Sequence, residues 1–183
     1  MTRRGWLAAR RLMPGLVALA LSGCAFFSSA PRPPQATVRL VDARSQELGV
    51  GTFTETAEGV RLQLKFTAAP PGTHALHIHA TGLCEPPQFI SAGGHFNPTG
   101  KQHGKKNPAG YHLGDLPNLQ VKDDGTAKYD VLITGISLGP GPGSLVPPGG
   151  TSLILHQNRD DEVTDPAGNA GPRVACGVIT LKR

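Results

Sequence analysis

A chain of 183 residues is long enough for one medium domain with a full core and short for two. Glycine (24) and proline (17) are plentiful and aromatics make up 5%, which favours short strands, turns and long loops over helices. The formal charge of +5 does not describe a basic surface. Setting aside Arg3, Arg4, Arg10 and Arg11, which lie in a segment expected to be removed, leaves 14 of the 18 basic residues against 13 acidic ones, and with that the case for nucleic-acid binding disappears.

Residues 1–23 read as an export signal. Those four arginines form a positive start, and Leu12 to Leu21 is an apolar core too short to span a bilayer as a permanent helix. The segment ends in Leu21-Ser22-Gly23-Cys24, which resembles a bacterial lipobox. Cleavage before Cys24 would leave a lipid-bearing first residue that holds the chain to a membrane. Residues 24–35, rich in Ser, Ala and Pro, then read as a tether and 36–183 as the folded domain. The expected destination is the bacterial cell envelope, on its periplasmic or extracellular face. With Cys24 lipidated, Cys84 and Cys176 remain as an even pair in a compartment where disulfides persist, so a bridge between them is expected.

Strand follows strand from there. Val38 to Asp42, Val50 to Thr56 and the strictly alternating Val60 to Phe66 come first, punctuated by Gly49 and Gly59. His74 to Ala80 is a fourth strand, followed by a long irregular stretch, Thr81 to Asp115. Leu116 to Lys122 and Ala127 to Thr134 flank the turn signal Asp123-Asp124-Gly125. A Gly/Pro loop runs from Gly135 to Gly150, Thr151 to His156 is a seventh strand, and a second irregular loop covers Gln157 to Pro172 before Val174 to Leu181. Eight short antiparallel strands predict an all-β Greek-key barrel or sandwich with long loops. A structureless loop of this length calls for something other than a core to order it, and a metal with a disulfide would serve.

The histidines suggest that metal. His77 and His79 share one face of a strand, so both imidazoles can reach one ion, and His156, ending a distant strand, can supply a third nitrogen. The long loop carries His95, His103, His112 and Asp115; three imidazoles and a carboxylate are a plausible tetrahedral zinc set. The first three strands hold no histidine, and this joint clustering is hard to reach by chance.

From about Ala36 to Arg183 the sequence resembles the copper/zinc superoxide dismutases. The resemblance rests on His74-Ala75-Leu76-His77-Ile78-His79, Gly93-Gly94-His95-Phe96-Asn97-Pro98 with His103-Gly104, Tyr111-His112-Leu113-Gly114-Asp115-Leu116, and Gly168 to Ile179, in that family's order. It implies copper bound by His77, His79, His95 and His156, and zinc by His95, His103, His112 and Asp115, with His95 shared as a bridging imidazolate. It makes Asp160 the carboxylate linking a copper-site to a zinc-site histidine, and Arg173 the cation that guides superoxide and acts with His95 in catalysis. His74 matches a position that is not a ligand. The implied activity is conversion of superoxide to dioxygen and hydrogen peroxide by Cu(II)/Cu(I) cycling, with zinc structural. A non-enzymatic copper/zinc carrier or chaperone is the alternative, and the resemblance leaves monomer or homodimer open.

Overall fold

The structure is a computed structural model that describes residues 1–2 and 32–182. Residues 3–31, which include Cys24 and most of the expected export signal and tether, lie outside the described residues. The chain divides into a unit Met1–Pro31 and a unit Arg32–Arg183, and the account below concerns the second.

Among the described residues ten strands run in chain order: β1 Gln35–Asp42, β2 Glu47–Thr56, β3 Gly59–Phe66, β4 Gly72–His74, β5 Leu76–His79, β6 Leu119–Val121, β7 Ala127–Ile133, β8 Ser152–His156, β9 Arg173–Val178 and β10 Thr180–Leu181. The one helical piece among the described residues is a 3-10 turn, Ile90–Ala92. Every strand pairing is antiparallel. The main sheet runs β5-β8-β9-β1-β2-β3-β7, β10 pairs with β1, and β4 pairs with β6. The Lys122–Thr126 turn sets β6 beside β7, and β4 leads directly into β5, so the sheet curls back on itself as a barrel.

The expected eight strands are therefore there, two of them interrupted. At Ala75 the chain changes partner: β4 pairs with β6, whereas Ala75 N–H donates to Asn158 O (2.7 Å) and Ala75 O accepts from His156 N–H (2.9 Å), joining β8. At Ile179 the amide turns to Thr151 O (3.0 Å) and separates β9 from β10. The strand expected from Leu116 is confined to Leu119–Val121, because Pro117 brings no N–H to a ladder. Gly49 lies within β2 instead of ending it, since a Cβ there would sit 2.7 Å from Phe66 Cδ1. At the β6–β7 turn Gly125 has φ 78°, and Asp124 accepts from Thr126 N–H (2.9 Å) and Oγ1 (2.7 Å).

Period-2 alternation builds the core. Ala36, Val38 and Leu40 of β1, and Val60, Leu62, Leu64 and Phe66 of β3, point inward with Phe53, Leu76, Ile78, Leu153 and Leu155. On β5 the opposite face is also buried, and it carries His77 and His79.

Candidate metal centre

Backbone pairing along β5 brings the long loop to the strand histidines. Ile78 N–H donates to Gly114 O (2.9 Å), Ile78 O accepts from Phe96 N–H (2.8 Å), and Gly114 N–H donates to Phe96 O (2.9 Å). His79 thereby sits opposite His95 and His77 opposite Asp115. A Cβ on Gly114 would lie 2.3 Å from Ile78 O, so only glycine permits this approach. His156 enters from β8, the neighbour of β5.

Two groups of donor atoms result. In the first, His77, His79, His95 and His156 each offer a nitrogen within 4.8 Å of the others. Each ring is oriented through its second nitrogen: His77 Nε2 to Asp160 Oδ2 (2.7 Å), His79 Nδ1 to Gly93 O (2.9 Å), His95 Nδ1 to Asp115 Oδ1 (2.9 Å) and His156 Nδ1 to Gly171 O (3.1 Å). The remaining nitrogens, His77 Nδ1 and His79, His95 and His156 Nε2, are buried without a hydrogen-bond partner. Buried polar atoms normally find partners, and four convergent exceptions are a donor set for a metal.

The second group gathers around Asp115. Its Oδ2 is occupied by Gly104 N–H (2.9 Å) and His112 N–H (3.0 Å). Its Oδ1 faces Nδ1 of His95 (2.9 Å), His103 (3.0 Å) and His112 (3.2 Å), and the Nδ1 atoms of His95 and His112 are 3.3 Å apart. A tetrahedral ion with arms of about 2.0–2.1 Å sets its donors roughly 3.3 Å apart, close to these four separations, as a zinc site requires. His77 also falls within reach of His95, His103 and Asp115, but its Nε2 is committed to Asp160 and its Nδ1 belongs to the first group. Asp160 joins the two groups, accepting on Oδ2 from His77 and on Oδ1 from His103 Nε2 (3.0 Å).

Electrostatics differ between the groups. Burial pushes His95 down to about 4 and His156 to about 3, and holds His79 well below its ordinary value, so these rings are neutral bases. Burial opposes charge on His103 too, but hydrogen bonds and Coulomb attraction from Asp115 and Asp160 raise it to about 9. Burial would raise both carboxyls, yet His103 with His95 holds Asp115, and His103 with His77 holds Asp160, far below the usual carboxylate range.

Arg173 opens β9 beside this cluster. Its Nη1 donates to Phe89 O (2.5 Å) and its Nη2 to Gly93 O (2.6 Å), the carbonyl that also orients His79. A cavity of about 430 Å³ there is lined by Pro87, Gln88, Ile90, Gly171, Pro172 and Arg173. None of the histidines lines this cavity, nor a larger concavity of about 720 Å³ on the outer faces of β1, β2, β3 and β7; what ties the smaller one to the cluster is Arg173. The loop carrying Phe89 and Gly93 is pinned by the Cys84–Cys176 disulfide, as expected. His74 stands apart from both groups, with its ring nitrogens on His156 O and Pro70 O, both at 2.9 Å.

The structure thus brings together the expected metal-site residues with Asp160 and Arg173 and forms the expected disulfide, while Cys24 lies outside the described residues. Sequence reasoning missed the carbonyls of Gly93 and Gly171, because every residue carries one and only the fold selects which two. It also missed Asn118 and Gly168, both packed against Asp160.

Comparison with known proteins agrees with this geometry. The family described as copper/zinc superoxide dismutase matches residues 48–179. The chain is 45% identical to a copper–zinc superoxide dismutase of Aquifex aeolicus, over 79% of this chain and 86% of that one. It is 35% identical to the superoxide dismutase-like protein YojM of Bacillus subtilis, over 92% and 94%. Among solved structures, a double mutant of a superoxide dismutase-like protein from Bacillus subtilis superposes with a TM-score of 0.75 at 38% identity, covering 78% of this chain and 95% of that one. The chain belongs to the copper/zinc superoxide dismutase family.

Proposed function

We propose that this protein is a superoxide dismutase, turning two superoxide anions and two protons into dioxygen and hydrogen peroxide. His77, His79, His95 and His156 would hold copper, and His95, His103, His112 and Asp115 would hold zinc. The observation that carries the assignment is the set of four buried, unpartnered nitrogens, each on a ring whose other nitrogen is already engaged. Copper held there would supply a one-electron Cu(II)/Cu(I) couple, and zinc a redox-inert positive charge.

The chain's own residues do the rest. Arg173 lines the smaller cavity and presents a fixed cation on the Gly93 carbonyl that also orients His79. Its guanidinium has five N–H donors, and two are used on the carbonyls, leaving donors for an anion. A cation held there draws and orients superoxide; the speed this gives superoxide dismutase is a known example of such steering. His95 Nε2 is the atom that holds and delivers a proton to the reduced substrate, while Nδ1 stays fixed against the Asp115 group. Asp160 fixes the tautomers of His77 and His103, leaving both Nδ1 lone pairs for metal.

The same reading places the protein in the cell envelope, held by lipid on Cys24. It is supported by the Leu21-Ser22-Gly23-Cys24 motif and by a disulfide that persists where the compartment is oxidising. The superoxide dismutase-like relatives raise a second reading, a carrier that binds the metals without turnover. Metal analysis of the purified protein with a dismutation assay separates the two. One copper and one zinc per chain with activity supports the enzyme; both metals without activity overturns it in favour of the carrier.

A further inference from the structure

Asp160 reaches into the metal centre from a loop, yet its carboxylate must be placed accurately enough to accept from two histidines at once. What holds its backbone is a single side chain 42 residues earlier. Asn118 Nδ2 donates to Asp160 O (2.9 Å), and Asp160 N–H donates to Asn118 Oδ1 (2.7 Å), so one amide side chain satisfies both main-chain groups of Asp160. This side chain pairs with a backbone as a β-bridge does, and a carboxamide suits it because it carries a donor and an acceptor on neighbouring atoms.

Asn118 is itself fixed. It follows Asp115-Leu116-Pro117 and precedes Leu119, and Leu116 and Leu119 are buried on either side. Pro117 O accepts from Tyr129 OH of β7 at 2.7 Å. The segment that delivers Asp115 to one donor group thus also sets the height of Asp160 over both groups. Within the second loop, the Asp160 carboxylate gains one hydrogen bond, from Glu162 N–H (2.6 Å).

We propose that Asn118 is a positioning residue of the metal centre: by clamping the Asp160 backbone to the Asp115 segment, it fixes the acceptor that sets the tautomers of His77 and His103. Without the clamp the carboxylate can move off either ring, and His77 Nδ1 and His103 Nδ1 are no longer held as lone pairs aimed at metal. Outer partners of metal-bound histidines typically change metal affinity by about 10–100-fold. The inference rests on reading the site as a copper–zinc centre.

The test uses the full chain with Asn118→Ala, with Asn118→Asp, which keeps the shape and the acceptor but loses the donor, and with Asp160→Ala alone and combined with Asn118→Ala. Zinc affinity is read by competition with a chelator, copper coordination by the Cu(II) EPR spectrum, and metal-free stability by thermal unfolding. The proposal expects zinc affinity to fall at least tenfold in both Asn118 variants and the Cu(II) hyperfine splitting to change. It also expects Asn118→Ala to add little once Asp160 is alanine. Should the alanine variant fail to fold, the aspartate variant gives the same readings. Zinc affinity within twofold of the parent, or effects that add fully in the double variant, would overturn the clamp and leave Asn118 as a general brace that lowers unfolding temperature alone. A parent protein that binds no zinc would instead overturn the copper–zinc reading itself.

Discussion

Replacing Cys84 with alanine removes the covalent tie between the long loop and β9. The bridge closes a separation of 92 residues, and the chain-entropy relation for a loop of that size gives about 4.6 kcal/mol at 25 °C. For a domain of this size each kcal/mol moves the unfolding midpoint by about 2–4 °C, so metal-free Cys84→Ala should unfold roughly 9–18 °C below the parent protein. The loss is larger than packing alone would give, since the buried Cys176 retains its contacts with Phe89, Ala92 and Ile154. Activity of the metal-loaded variant should fall as well, because the loop carrying the Phe89 and Gly93 carbonyls positions Arg173. The assay is calorimetry of the metal-free forms, with the parent measured with and without reductant. A variant that unfolds within about 3 °C of the oxidised parent would refute the argument, as would a parent insensitive to reductant.

Arg173→Ala should slow dismutation at low ionic strength by at least about tenfold and flatten its salt dependence, with metal content unchanged; full activity at low salt would remove the guiding role. Gly168→Ala should cost at least about tenfold in zinc affinity. Gly168 has φ 61°, and a Cβ there would lie 1.8 Å from Asp160 Oδ1 and 2.6 Å from His103 Nε2, so normal zinc retention in that variant would contradict the packing. Metal-free protein should be most stable near neutral pH. His95 and His156, lowered to about 4 and about 3, contribute above about 6.5 and lose that contribution as pH falls through the range below it. His103, raised to about 9, contributes below about 6.5 and loses it as pH rises through 9. Denaturant midpoints of the metal-free form that climb steadily from pH 5 to pH 9 would contradict this balance.

The sequence carried the barrel through its alternation. Val60 to Phe66 reads in and out as it packs, and the turn at Gly125 falls where its Asp-Gly signal puts it. The interruptions at Ala75 and Ile179 were hidden because they depend on which strand lies alongside, and a partner change leaves no local pattern. Site histidines were legible because they cluster in the fourth expected strand, its long loop and the seventh, while the first three strands hold none. Their roles came from family resemblance, whereas the tautomers came from the fold: Asp115 gives Oδ2 to two backbone amides, and this turns Oδ1 toward three rings. Asn118 and Gly168 were illegible for a different reason. An asparagine before a strand and a glycine in a loop are ordinary turn residues until Asp160 is seen between them.

The central claim is that two different ions share His95. Crystals of the oxidised protein, loaded with Cu(II) and zinc and measured with anomalous scattering at the copper and zinc edges, test it most directly. The account predicts copper against His77 Nδ1 and the Nε2 atoms of His79, His95 and His156, and zinc against Nδ1 of His95, His103 and His112 with Asp115 Oδ1. A single ion, or two ions of which only one touches His95, would contradict it.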